Sequence, residues 1–102
     1  MILRKQYLKD EFLCRVKFCV YRGGTGHAKS VHVVGDFNNW DTKATPMKET
    51  QNGSFAATVD LAPGREYQYL YLFDESYWDC DRDADRLVKD AYGISDNSVV
   101  VV

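Results

Sequence analysis

Apolar residues fall at every second position over three stretches of the chain, the period of a strand with one face buried. From Glu11 to Tyr21, residues Phe12, Cys14, Val16, Phe18 and Val20 share one face, with Arg15 and Lys17 on the other. Arg22-Gly23-Gly24-Thr25-Gly26 is a turn, and Val31, Val33 and Val34 make a second strand that Gly35 and Asp36 end. Phe37 turns back to the core, and Asn38-Asn39 offers a turn that delivers Trp40 at its exit. Pro46 to Glu49 reads as a short strand and Asn52-Gly53 as a hairpin turn. Beyond it Phe55, Ala57, Val59 and Leu61 alternate with Ser54, Thr58 and Asp60. Ala62-Pro63-Gly64-Arg65 suits a type II turn. Tyr67, Tyr69, Tyr71 and Phe73 then face Gln68, Leu70 and Leu72 across a strand apolar on both sides, as central strands are. Asn97 to Val102 is the last strand.

Strands at this spacing, with no convincing amphipathic helix, predict an all-β antiparallel sandwich of about seven strands. Phe18, Val33, Phe55, Val59, Tyr69 and Val99 are its expected core. Only Asp83 to Lys89 could hold a helical turn, and residues 1–10 form an N-terminal segment of ambiguous type, leaving residues 11–102 as a single domain.

A chain of 102 residues with 45% apolar and 27% charged content can bury a real core unaided. Its net charge of −2 argues against nucleic acid as a partner, which needs a basic footprint. No apolar run reaches transmembrane length, and Met1-Ile2-Leu3-Arg4-Lys5 leads into charge instead of a signal-peptide core, so no membrane is expected as a partner and the cytoplasm is the expected location. Cys14 and Cys19 lie five apart on opposite faces of one strand, roughly 16 Å at ~3.3 Å per residue, too far for a bridge. With Cys80 the count is odd, and no Cys/His spacing suggests zinc. Reduced thiols and no metal or cofactor are expected.

The run Asp79-Cys80-Asp81-Arg82-Asp83-Ala84-Asp85 matches the early positions of a calcium loop, but Ala84 stands where glycine should turn and Asp90 where the bidentate Glu should be. It reads as a solvated acidic loop salted by Arg82 and Arg86. His27 sits in the glycine-rich turn and His32 alternates toward solvent. No nucleophile has a supporting context, and a small sandwich has little room for a cleft flanked by two carboxylates, so catalysis is not expected. The aromatic set is more telling. Trp40, Tyr77-Trp78 and Tyr92-Gly93 all lie on turns or strand ends, which gather at the rims of a sandwich. Exposed rings suit the apolar C–H faces of sugars, with Asn97, Asp96 or Gln68 as polar partners. The competing reading for each Trp is a lid on one end of the core.

The succession VHVVGDFNNWD, PMKE, NGSFAATVDLAPG, REYQYLYLFD, a Trp, and YG…DNSVVVV resembles the family 48 carbohydrate-binding module, from Phe12 to Val102. The resemblance implies the immunoglobulin-like early-set fold that precedes the catalytic barrel in isoamylases and branching enzymes (family 13 glycoside hydrolases). It is also similar to the glycogen-binding domain of the AMP-activated kinase beta subunit. It implies that Trp40 and Trp78 stack on consecutive glucose units, that Tyr92 pushes into the sugar chain, and that Asp96 or Asn97 supplies a hydrogen bond. Leu70 stands where such members carry a basic residue, Ile94 replaces a hydroxyl residue, and Glu75-Ser76-Tyr77 lacks the usual glycine. A retained stacking set with fewer polar partners implies weak binding or a changed ligand.

The leading expectation is a free-standing, non-catalytic module that binds α-1,4-linked glucan (glycogen, starch or malto-oligosaccharide) weakly, serving a carbohydrate-active enzyme or other protein in trans. The alternative is an early-set domain that binds a protein and no sugar, its aromatic patch being the interface.

Overall fold

The chain folds into two antiparallel sheets that sandwich one core; the computed structural model describes residues 2–8, 12–21, 28–50, 53–89 and 96–102. Among the described residues there are nine strands and one 3-10 turn, with no other helix. They are β1 (Ile2–Leu8), β2 (Leu13–Val20), β3 (Val31–Gly35), β4 (Lys48–Glu49), β5 (Phe55–Leu61), β6 (Glu66–Phe73), β7 (Tyr77–Asp79), β8 (Arg86–Lys89) and β9 (Asp96–Val101). One sheet runs β1-β2-β5-β4 and the other β3-β6-β9-β8, with β7 beside β6. Strand β6 is central, as its two apolar faces require: β3 covers one edge, and β9 and β7 share the other.

The core forms where the alternations of β2 and β6 meet. Phe18 packs edge-on to Tyr69 at 4.9 Å and stacks on Phe37 at 5.5 Å, which contacts Tyr67 in turn. Phe18, Val33, Phe55 and Tyr69 are buried in the core between the sheets, and Val59 is partly buried against it. Val99 is also buried but stands opposite Gln68, on the outer face of the second sheet.

Four expectations change. Residues 2–8 form β1; the pattern is ambiguous because Lys5, opposite Val16, interrupts the alternation between Leu3, opposite Phe18, and Tyr7, opposite Cys14. Pairing of Leu8 with Leu13 makes this a hairpin, so Phe12 belongs to its turn, with φ of 52° and 82% exposure, and not to the apolar face of β2. Residues 86–89, expected as part of a helical turn, pair with β9 as a strand. The strand β7 was hidden because three residues are too few to show a period. The Pro63-Gly64 turn is as expected, with Gly64 at φ +78°. Cys14, Cys19 and Cys80 are free thiols. Asn52, His27 and the turn 22–26 lie outside the described residues.

Gly35 is required by closeness, not by φ, since its backbone is extended at −170°. A Cβ there would lie 2.4 Å from the Gln68 carbonyl oxygen and 2.7 Å from Tyr69 Cβ. Gly35→Ala must therefore prise β3 from β6. A loss of about 3 kcal/mol is expected from overpacking of this kind, and urea denaturation checks it; an unchanged midpoint would show that the strands have slack.

The acidic run is solvated only in part: Arg82, Asp83 and Asp85 are exposed, but Asp81 is not. Asp81 is fully buried, and its Oδ2 accepts hydrogen bonds from the Tyr69 and Tyr71 hydroxyls, both at 3.0 Å. Its Oδ1 accepts from the Asp83 N–H, and its own N–H donates to Ser98 Oγ at 2.6 Å. Arg86 does not salt this loop but grips Glu66 through two bonds of 2.6 Å. Asp85 pairs with Lys5 and accepts from the Val101 N–H. A carboxylate flanked by aromatic strands thus stitches the 80–85 crossover to β6 and β9. No group of three or more potential metal ligands occurs among the described residues.

Burial, and then the charge of Asp81, hold the hydroxyls of Tyr69 and Tyr71 protonated far above the ordinary tyrosine range. An unfolded tyrosine ionises near pH ~10, so this stabilisation is complete below that pH. Above it the unfolded chain releases protons that the native state keeps, and stability falls by about 1.4 kcal/mol per pH unit for each tyrosine. Urea midpoints should be level up to pH ~10 and decline steeply above it. A flat profile to pH ~11 would contradict the burial of these hydroxyls.

Candidate functional site

Because Tyr67, Tyr69, Tyr71 and Phe73 point into the core, the alternate residues of β6 line the outer face of the second sheet. Across that face Leu70 stands opposite Val34, Leu72 opposite His32 on one side and Trp78 on the other, and Gln68 opposite Val99. Val34, Leu72 and Val99 are buried yet lie outside the core between the sheets. The outer face therefore carries a second apolar strip, on which Trp78, 43% exposed, is laid.

Trp40 is tied to the same sheet by a different route. Residues Asp36–Asn38 form the 3-10 turn, and the Asn38 amide ties it down: its Oδ1 accepts from the Gly35 N–H, while its Nδ2 donates to the Val33 carbonyl and Thr45 Oγ1, each at 3.0 Å. The Trp40 N–H donates to the Gly35 carbonyl at 2.9 Å. Asn39 and Trp40 both take φ of 57°. That region suits Asn but costs a bulky residue about 1–3 kcal/mol, so the tryptophan is held against its local preference. Asp36 fixes the ring: Oδ1 accepts from the indole Nε1–H at 3.0 Å and Oδ2 from the Gln68 N–H at 2.8 Å. One carboxylate thus ties the indole of Trp40 to the first half of β6. Trp78 lies beside the second half, about 13 Å further along at ~3.3 Å per residue.

The polar partners stand between them. Asn97 donates through Nδ2 to Gln68 Oε1 at 3.1 Å, which orients both amides on the outer face. Asp96 bonds Lys89 at 2.9 Å and, with Leu70, Trp78, Asp79 and Cys80, lines a depression of about 190 Å³. Trp78, Asp96 and Asn97 thus belong to one sheet, and Trp40 is tied to its strand β6 through Asp36. Tyr92, Gly93 and Ile94 lie outside the described residues. A larger depression, about 660 Å³, opens between residues 44–50 and β5, with Pro46, Met47 and Ala56 in its wall. It contains no aromatic ring, so the aromatic face is the better candidate.

Pattern alone missed two residues of this face. Asp36 reads as a strand terminator, and only its spacing of four from Trp40 hinted at a bond to the indole. His32 is half-buried, not solvated: Pro46 bridges it, and its Nδ1 is shielded without a partner among the described residues.

The family model described as carbohydrate-binding module 48 (isoamylase N-terminal domain) matches residues 8–93. The chain belongs to the carbohydrate-binding module 48 family. Members of this kind occur in larger proteins to which the chain is similar. The 1,4-alpha-glucan branching enzyme GlgB of Synechococcus sp. (strain WH7803) is 37% identical over 63 residues, 61% of this chain and 8% of the relative. That of Prochlorococcus marinus (strain NATL1A) is 38% identical over 55 residues, 53% of this chain and 7% of the relative. GlgB 1 of Xanthomonas axonopodis pv. citri (strain 306) is 44% identical over 45 residues, 42% of this chain and 6% of the relative. The matched part is thus less than a tenth of these enzymes' length. In this module-48 chain, no helix among the described residues is long and apolar enough to cross a membrane.

Proposed function

We propose that this module binds α-1,4-linked glucan weakly and without catalysis, through the outer face of the second sheet. Trp40 and Trp78 supply stacking surfaces, the Gln68–Asn97 amide pair and Asp96 supply hydrogen bonds, and Tyr92 completes the groove. The carrying observation is the Asp36 clamp, which ties a strained, half-exposed Trp40 to β6, the strand beside which Trp78 lies. A ring that served only as a lid would pack on the core, and Trp40 is not among the residues packed there. Similarity to 1,4-alpha-glucan branching enzymes supports an α-glucan as the ligand class. The same likeness supports service to a carbohydrate-active enzyme and a cytoplasmic location as parts of this reading.

Stacking a sugar face on one indole removes about 60–80 Å² of apolar surface, worth about 1.5–2 kcal/mol at ~25 cal/mol per Å². Two contacts give roughly 3–4 kcal/mol before binding entropy is charged. Leu70 adds no donor, so a Kd in the high micromolar to millimolar range is expected. Electrophoresis through native gels containing glycogen or amylose tests the reading: migration should be retarded by either and unaffected by cellulose derivatives. Unretarded migration in all three would favour the protein-binding alternative, for which exposed Trp and Tyr are equally suited.

A further inference from the structure

The outer face of the first sheet is chemically the opposite of the aromatic one. Across β1, β2 and β5 the register sets Arg4 opposite Lys17 and Lys17 opposite Thr58; one step along it sets Gln6 opposite Arg15 and Arg15 opposite Asp60. Arg15 is committed to Asp60 through bonds of 2.9 and 3.2 Å, which hold that carboxyl below its usual range. The side chains of Arg4 and Lys17 have neither an ion pair nor a hydrogen bond among the described residues. Like charges directly opposite one another on a sheet are destabilising, and in a chain of net charge −2 there are acids enough to have separated them. Local rules are broken in this way mostly at functional sites.

Shape adds a second observation. Arg4, Lys5, Gln6, Arg15, Lys17 and Thr58 line an open depression of about 320 Å³, at the small end of the range for small-ligand sites. Two uncommitted cations beside neutral donors and acceptors match an anion carried on a hydroxylated body. We propose that this depression binds a small phosphate ester, its phosphoryl group between Arg4 and Lys17 and its hydroxyls on Thr58 and Gln6. The bound dianion relieves the repulsion between the two cations. The site lies on the sheet opposite to Trp40 and Trp78 and does not depend on glucan binding.

Amide and side-chain NMR shifts of the whole chain, followed at physiological ionic strength so that loose ion pairing is screened, test this with glucose 6-phosphate as probe. Saturable shifts confined to Arg4, Gln6, Lys17 and Thr58 are expected, with inorganic phosphate weaker and glucose without effect. Lys17→Gln and Arg4→Gln should each weaken the interaction about tenfold, and Trp40→Ala should leave it intact. No saturation at millimolar ligand, equal shifts from sulfate or inorganic phosphate, or shifts that survive both Gln variants would overturn the proposal. So would a response to poly-glutamate alone, which would make the face a protein surface.

Discussion

Replacing Asp81 with alanine is expected to cost the fold about 4 kcal/mol, a large part of the 5–15 kcal/mol typical of a small domain. Alanine leaves the Tyr69 and Tyr71 hydroxyls and the Asp83 N–H, which now converge on one carboxylate, without that acceptor. Each buried orphan is worth about 1–3 kcal/mol. Thermal unfolding should fall by about 20 °C at the usual 4–8 °C per kcal/mol for this size. Asp81→Asn keeps the shape but turns one acceptor into a donor facing other donors, so an intermediate loss is expected. A loss under ~1 kcal/mol for alanine would mean that water replaces the carboxylate and that the site is not dry. Because the 80–85 crossover joins β7 to β8, the same change should also loosen Trp78.

Trp40→Ala is expected to abolish measurable glucan binding while leaving the fold intact. The ring lies outside the core, so its loss opens no inter-sheet cavity. It removes about 1.5–2 kcal/mol of stacking, a further ten- to thirtyfold on an already weak Kd. Asp36→Asn should weaken binding less, since the indole stays but its tie changes. Leu70→Lys should strengthen binding by placing a donor in the depression shared with Trp78 and Asp96. Isothermal titration with maltoheptaose reads all three. A Trp40→Ala protein that binds like the wild type would move the site elsewhere.

Much of the fold was legible because strand period is local. The alternation in β2, β5 and β6 identified the buried faces, and Gly64 announced its own turn. What stayed hidden depended on pairing between distant segments. Lys5 masked β1 because its partner Asp85 lies 80 residues away. Asp81 looked like one acid among several until the fold placed two tyrosine hydroxyls on it. Val99 kept its predicted burial but changed its neighbours, since pattern counts faces and does not say which face meets the other sheet. At the candidate site the tryptophans were readable as conspicuous residues outside the long alternating strands, although Trp78 stands in the short strand β7. The Asp36 clamp was not, because it needs Gln68 brought beside the Trp40 loop.

Tryptophan fluorescence under titration with maltoheptaose or β-cyclodextrin is the most direct test of glucan binding at this face. The chain has two tryptophans, Trp78 beside Leu72 and Trp40 bonded to Asp36, and both belong to the proposed site, so the tryptophan signal has no third source. A saturating change with a Kd between high micromolar and millimolar, absent when glucose polymers are replaced by cellobiose, is the predicted result. Spectra that stay unchanged at millimolar ligand would contradict it.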